Sequence, residues 1–275
     1  MAIKDIIVHV GQSARQGCVD VATQLATRYG AHVVGVHVTT PPDIPPYIEA
    51  QLGAEVIDVQ NRFAEDMAAE AKAAFAQAFA AKDLSSRWVS LRGDLIEGIQ
   101  LYGRYADLAI VGQASPDEPG LAVSEDIAGR LALSLGRPVL AVPYAGSFGV
   151  VGKRALIAWD GSRAAARALG DALPLIQEAD EVRVLCIDPE VGAGPDGPGM
   201  DVVAHLARHG VKAEAHHVQS GDMEAGARML SQAADFGADL IVMGAYGHAR
   251  WRELVLGGAT RHMLEHMTVP VLMSH

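Results

Sequence analysis

The sequence predicts an α/β protein built from two tandem domains, each with a parallel sheet of five strands. At 275 residues, the chain is long enough for two domains of ordinary size. Similar segments recur in its two halves, and short apolar runs such as 184–187 and 240–243 alternate with Ala-rich helical stretches. Continuous apolar runs that are separated by helices are typical of a parallel sheet covered on both faces.

The internal repeat is the most informative of these observations, since it divides the chain into comparable halves. Four pairs of segments match: 7–11 with 157–161, 93–94 with 221–222, 106–112 with 238–244, and 138–140 with 270–272. The last two pairs share an offset of 132 positions. The residues between them can therefore be compared one by one without a gap.

Each half is predicted to alternate strands and helices, beginning and ending with a strand. In the second half the strands are expected near 154–159, 181–187, 212–218, 239–243 and 269–273. In the first half, a helix is expected near 54–82. Its apolar side chains, expected to pack in the core, recur every four residues: Val59, Phe63, Met67, Ala71, Phe75 and Phe79.

The boundary between the domains is expected in the stretch 143–149, which is rich in glycine and proline. This divides the chain into domains 1–147 and 148–275. The last segment, 269–274, is expected to be an edge strand. An unpaired edge favours pairing within the chain, between two chains as a homodimer, or both.

Charge and cysteine content exclude several classes of protein. The chain has 22 Lys and Arg against 33 Asp and Glu, a net charge of −11, which repels nucleic acids and acidic lipids. Cys18 and Cys186 are too few for a disulfide framework and favour a reducing compartment. Residues 1–10 lack the long apolar core of a signal peptide or a membrane span. We expect a cytoplasmic protein without a nucleic-acid or membrane partner.

The residues best suited to bind a ligand follow the carboxyl ends of the strands in the second half. In an open parallel sheet, ligands bind at this edge, where the strand order reverses. Asp160 follows the first strand and can accept hydrogen bonds from a ribose, while glycines follow the fourth strand. The run 257–260 precedes a helical stretch, 261–267, and offers unpaired amides that suit an anion. Three side chains between them add positive or protonatable groups: His248, Arg250 and Arg252.

These residues resemble a known motif. Gly244-x2-Gly247-x9-Gly257 is similar to the nucleotide-binding motif of the universal stress protein family, and the resemblance covers nearly the whole chain as two copies. It implies a Rossmann-like fold of the adenine nucleotide alpha hydrolase type, with strand order 3-2-1-4-5 and dimer-like association of two domains. It also implies binding of ATP or AMP, with Mg²⁺ accompanying ATP. A glycine-rich turn without a ligand is the alternative interpretation.

The resemblance assigns a role to individual residues of the second half. Asp160 would contact the nucleoside, Ile187 would offer its backbone to adenine, and the glycines would hold the phosphates. The expected cofactor-binding residues are Asp160, Ile187, Gly244, Gly247, Arg250, Gly257, Gly258, Ala259 and Thr260. Gly258 stands where the family usually has Ser or Thr, so one hydroxyl contact is absent, although the backbone amide remains.

The first half departs much further from the motif. Val10 occupies the place of Asp160, so the ribose acceptor is absent. At the offset of 132, Ser115 replaces Gly247, Glu118 replaces Arg250, and the acidic pair 125–126 replaces the glycine pair 257–258. Carboxylates repel phosphates at close range. We therefore expect 1–147 to be a degenerate domain that does not bind ATP in this mode.

Together these observations predict a stress-response protein that binds an adenine nucleotide in its second domain, with the first domain as a structural partner. The sequence has no Gly-x-Ser-x-Gly elbow and no GxxxxGK[ST] loop, which disfavours an efficient enzyme. Two alternatives stay open: a nucleotide-free module that binds an unidentified protein partner, and a slow ATPase. No metal site is expected from His262 and His266, because no HExxH pattern is present.

Overall fold

The computed structural model describes residues 3–11, 15–40, 54–114, 127–189, 197–246 and 258–275. Strands and helices alternate along both halves of the chain. The strands are β1 Asp5–His9, β2 His32–Thr39, β3 Ser86–Arg92, β4 Leu108–Gly112, β5 Val139–Val142, β6 Arg154–Ala158, β7 Glu181–Ile187, β8 Ala213–Val218, β9 Leu240–Gly244 and β10 Val271–Ser274. The helices are α1 Arg15–Tyr29, α2 Ala54–Ala80, α3 Leu95–Gly103, α4 Ile127–Ser134, α5 Arg163–Ile176, α6 Met200–Arg208, α7 Ala225–Phe236 and α8 Gly258–His266.

All ten strands form one sheet in the order β3-β2-β1-β4-β5-β10-β9-β6-β7-β8. Within each half, the strands are parallel and follow the order 3-2-1-4-5, which confirms the predicted fold class. The runs 108–111 and 240–243 are fully buried because helices cover both faces of the sheet.

The two halves meet at the only antiparallel pairing between the described strands. Val271 lies opposite Ala141, and Met273 lies opposite Val139, so β10 pairs with β5. The prediction that 269–274 forms an edge strand is therefore wrong, although pairing within the chain was one of the outcomes foreseen for it. The sheet continues across the junction, so each half covers the edge that the other would expose.

Two layers of helices cover the sheet, and each layer spans both halves. Helices α1, α2, α5 and α6 pack on one face, around buried residues such as Leu25 and Leu175. Helices α3, α4, α7 and α8 pack on the other face, around residues such as Leu131 and Met263. Side chains alternate between the two faces along each strand, which is why Ile6 and Ile7 belong to different clusters.

The apolar stripe of α2 only partly fulfils its predicted role in the core. Phe75 and Phe79 are buried and in contact, with ring centroids 4.3 Å apart. Val59 and Phe63 are 65% and 63% exposed, so the prediction of core packing is wrong for these two. The 27-residue helix presents buried side chains in its second half and exposed ones near its start.

Side-chain hydrogen bonds from α1 add to the contact between the halves. The Tyr29 hydroxyl donates to the Pro174 carbonyl at 2.8 Å, and the Arg28 guanidinium donates to the carbonyls of Val151 and Leu175, each at 3.2 Å.

Among the described helices, none has the length and apolar composition needed to cross a membrane.

Candidate functional site

The predicted site lies at the carboxyl edge of the sheet in the second half. Strand β6 runs between β7 and β9, with Ala158 opposite Leu185 and Ile157 opposite Val242. The connections from β6 and β9 lead to helices on opposite faces, α5 and α8. Strand order reverses here, so a crevice is expected at this point. The register brings the ends of β6, β7 and β9 to one edge, and with them Asp160, Ile187 and Gly244.

Asp160 lies in the turn that connects β6 to α5, and its side chain is exposed. Its Oδ1 atom accepts a hydrogen bond from the Ser162 amide at 2.9 Å. Gly161 takes up a φ of +74°, a conformation that suits glycine. Ser162 then caps α5, since its Oγ atom accepts from the Ala165 amide at 3.1 Å. The turn holds the Asp160 carboxylate at the carboxyl edge of the sheet, where the crevice is expected.

Gly244 ends β9 in close contact with the first turn of α5. A Cβ atom at this position would lie 2.5 Å from the Ala165 nitrogen and 2.7 Å from the Ala164 carbonyl carbon. Both are backbone atoms that cannot rotate away. The absence of a side chain at Gly244 therefore lets the first turn of α5 lie against the end of β9.

Helix α8 begins at Gly258, three residues earlier than the predicted helical stretch. Its first turn therefore contains Gly258, Ala259 and Thr260, whose amides lack partners within the helix. Gly258 is exposed and Thr260 is buried. The Thr260 hydroxyl accepts from the Tyr246 amide at 3.2 Å, which ties the start of the helix to the segment after β9. The positive end of the helix dipole lies there.

The ends of β7 and β8 lie on the other side of β6 at the same edge of the sheet. Ile187 is half-buried at the end of β7 and pairs with Val218. The next residue, Asp188, has a φ of +46°, and its carboxylate accepts from the Ser220 amide at 2.9 Å and from the Ser220 hydroxyl. These hydrogen bonds lower the pKa of Asp188. They fix the backbone that follows Ile187, the residue expected to contact adenine.

Three of the expected site residues lie outside the described residues: Gly247, Arg250 and Gly257. The other six are described and divide between two places. Ile187 and Gly244 end their strands and Asp160 lies in the turn after β6, whereas Gly258, Ala259 and Thr260 form the first turn of α8.

The corresponding edge of the first half is different. Val10 is fully buried where the second half has the exposed Asp160. The ring of His9 lies beside Gly11, where a Cβ would be 2.8 Å from the His9 Cε1 atom. Burial, together with the nearby His37, lowers the pKa of His9 to about 4. His37 itself donates from Nδ1 to the Val10 carbonyl at 2.8 Å. Ser115, Glu118 and residues 125–126 lie outside the described residues. The position of the carboxylates there, where a phosphate would bind in the second half, therefore stays a prediction.

The two histidine pairs contact other groups of the protein. The rings of His262 and His266 stack at 4.4 Å, and His266 Nδ1 donates to the His262 carbonyl at 3.0 Å. His216 contacts Gln232, whereas His217 contacts the Pro198 carbonyl. Within the described part of the chain, no group of three or more His, Cys, Asp or Glu side chains could hold a metal ion.

Sequence reasoning missed three residues that shape this region. Ser162 caps α5. Tyr246, whose φ is +55°, donates its amide hydrogen to the Thr260 hydroxyl. Gln113, in the first half, forms a hydrogen bond to α8 in the second half. A Ser directly before an Ala-rich helical run is a helix-cap signal that could have identified Ser162. No sequence signal marks the other two.

Comparison with known proteins finds a family model that matches the second half and solved structures that share the fold of the whole chain. Residues 152–275 match the model of the Universal stress protein family. A universal stress protein from Archaeoglobus fulgidus DSM 4304 superposes with a TM-score of 0.72 at 17% identity, over 98% of this chain and 95% of its own. Two Pseudomonas aeruginosa proteins, from strains UCBPP-PA14 and PAO1, each give a TM-score of 0.61 at 16% identity over 99% of this chain, and over 93% and 92% of their own. No curated protein sequence matches the chain.

Proposed function

Because residues 152–275 match the model of the universal stress protein family, we propose that this half of the chain binds an adenine nucleotide, ATP or AMP, at the carboxyl edge of β6, β7 and β9. The observation that carries the proposal is the start of α8. Its first turn, Gly258 to Thr260, presents small residues and amides that have no partner within the helix, beside the end of β9. This is the arrangement by which helix N-termini bind phosphate groups.

The nucleotide is oriented by groups on both sides of the phosphates. The exposed Asp160 carboxylate accepts from the ribose hydroxyls in addition to the Ser162 amide, since an ionised carboxylate has about four acceptor positions. The backbone of Ile187 contacts adenine, and Arg250 with the glycines 247 and 257 completes the phosphate contacts. Mg²⁺ accompanies ATP. We assign nucleotide binding to domain 148–275 and a structural role to domain 1–147.

Binding acts through conformation rather than chemistry in this proposal. A nucleotide changes the protein's output only if it favours one conformation over another, for instance by altering the surface offered to a protein partner. We place this activity in the cytoplasm, because Cys18 and Cys186 are both buried, unpaired thiols.

A thermal-shift series with ATP, ADP and AMP, each with Mg²⁺, tests the proposal. A ligand present at 100 times its dissociation constant stabilises the native state by about 2.7 kcal/mol, which raises the melting temperature by about 5 °C in a protein of this size. Asp160→Ala and Gly247→Val should abolish the shift. Asp235→Ala, which removes an exposed carboxylate at the end of α7, is the matched control and should retain it.

The alternatives give different results in the same experiments. Melting temperatures that stay constant up to millimolar nucleotide would refute the proposal and support the nucleotide-free interaction module. A shift with ATP that is accompanied by continuous phosphate release would identify a slow ATPase. Retention of the shift in both Asp160→Ala and Gly247→Val would move the binding site elsewhere.

A further inference from the structure

Gln113 connects the first half of the chain to the helix that begins at the proposed phosphate site. It follows β4 directly and is 6% exposed. Its Nε2 atom donates to the Leu264 carbonyl at 2.8 Å and to the Glu265 carbonyl at 3.2 Å, both in the last turn of α8. Its Oε1 atom accepts from the Tyr144 amide at 3.1 Å. One buried amide side chain thus joins β4, the segment after β5, and α8.

The contact satisfies a specific need of α8. The last four carbonyls of a helix have no partner within the helix, and a buried helix end without partners is costly. Gln113 supplies donors to two of these carbonyls from the neighbouring half. Its counterpart at the offset of 132 is Ala245, whose methyl group cannot form such bonds. The link therefore runs in one direction, from the first half to the second.

Helix α8 is held at both ends by different halves of the protein. At its first turn, Thr260 accepts from the Tyr246 amide of the second half. At its last turn, Leu264 and Glu265 accept from Gln113 of the first half. The helix has nine residues and is about 13 Å long. A helix this short moves as a rigid unit. Loss of the hydrogen bonds at its last turn would therefore also shift the amides of its first turn.

We propose that Gln113 is a positioning residue, through which the first domain sets the nucleotide affinity of the second. The inference rests on the proposed function, since it concerns the same phosphate site. Phosphate contacts through backbone amides need placement to within about 0.5 Å, and a fixed helix provides it. The first domain then contributes to binding without holding a nucleotide of its own.

The test is a titration of the full chain with Mg²⁺ and ATP, followed by calorimetry. Gln113→Met keeps the length of the side chain but removes its donors and acceptor, and we expect about three- to tenfold weaker binding. Gln113→Glu still accepts from Tyr144 but places a carboxylate against two carbonyls, so its loss should be larger. If Gln113→Met does not fold, Gln113→Asn, whose amide is too short to reach α8, gives the same comparison.

Tyr29→Phe is the control for a purely structural role. It also removes one hydrogen bond between the halves, from Tyr29 to the Pro174 carbonyl, but that bond joins α1 to α5 on the opposite face of the sheet. We expect it to lower the melting temperature and leave the affinity for ATP unchanged. Equal losses of affinity in Tyr29→Phe and Gln113→Met would overturn the inference.

The remaining outcomes separate the inference from the proposed function. If the unmodified chain does not bind ATP, the proposed function fails. If it binds ATP and the Gln113 variants bind equally well, the function stands and the positioning role of Gln113 is wrong.

Discussion

Gly258→Ser should strengthen nucleotide binding, because it restores a hydroxyl at the start of the phosphate-binding helix. The position can accept a side chain. Among the described residues, a Cβ atom there would meet no other atom within 4 Å, and Gly258 lies in helix α8, whose backbone conformation other residues adopt. Gly258 is exposed at the first residue of α8, beside the amides that we propose to bind phosphate.

The expected gain follows from the energy of one added hydrogen bond. A hydrogen bond to a charged group contributes about 1.5–3 kcal/mol net, and about 1.4 kcal/mol corresponds to a tenfold change in affinity. We therefore expect Gly258→Ser to bind ATP about tenfold more tightly or better. The measurement is calorimetric titration of the full chain with ATP and Mg²⁺.

Gly258→Ala separates the hydroxyl from the backbone effect. Replacing glycine in a helix stabilises it by about 0.5–1 kcal/mol, and both variants share this gain. Only Gly258→Ser adds a hydroxyl. Equal affinities of Gly258→Ser, Gly258→Ala and the unmodified chain would refute the placement of phosphate at the first turn of α8.

Three further predictions concern stability, each with its control. Gly244→Ala should destabilise the fold by about 1–3 kcal/mol in urea unfolding, because its Cβ would lie 2.5 Å from the Ala165 nitrogen. The control is Gly170→Ala in the middle of α5, where a Cβ meets no described atom within 4 Å, and it should stabilise the fold by about 1 kcal/mol. Destabilisation by both variants would contradict the reasoning. Phe75→Ala should cost about 3–5 kcal/mol and Phe63→Ala less than about 0.5 kcal/mol, since only Phe75 is buried; comparable losses would show that Phe63 has a partner in solution. The pKa of His9 is lowered from 6.5 to about 4, so its neutral form is favoured in the folded protein, and stability should fall by up to about 3 kcal/mol as the pH decreases from 6.5 to 4. His9→Phe should remove this fall in the free energy of unfolding between pH 6.5 and 4. The control is His209→Asn, at the exposed end of α6, which should retain the fall. The same fall in His9→Phe would show that His9 does not cause it.

The positions of the strands could be predicted from the sequence because they depend on local features. The run 240–243 is continuously apolar and lies in a fully buried strand, as such runs do when helices cover both faces. Asp160 could be placed at the carboxyl edge for the same reason, since it directly follows the β6 region. Order within each half follows from the repeat and the resemblance together.

Features that depend on distant partners could not be predicted in this way. The segment 271–274 resembles any short edge strand, and nothing in it reveals that β5 pairs with it. A four-residue spacing drifts by about 40° per step around an α-helix, so Phe63 and Phe75 lie about 120° apart on α2, and only Phe75 is buried. Glycine at position 258 is typical of a turn, so the sequence predicts that the helix begins later. In the structure the helix begins at Gly258, and the Tyr246 amide donates to Thr260 in its first turn.

Gln113 illustrates the limit most clearly. An amide residue after an apolar strand is common at the edge of a sheet, and its sequence neighbours do not indicate a contact 151 positions away. The contact exists because β5 and β10 pair and bring β4 near α8. Only the assembled sheet reveals that the first half holds the end of this helix.

The stoichiometry of nucleotide binding tests the central claim most directly. Calorimetric titration of the full chain with ATP and Mg²⁺ should give one site per chain, and the same titration of Asp160→Ala should give none. Two sites per chain, or one site that persists in Asp160→Ala, would contradict the assignment of the nucleotide to the second half.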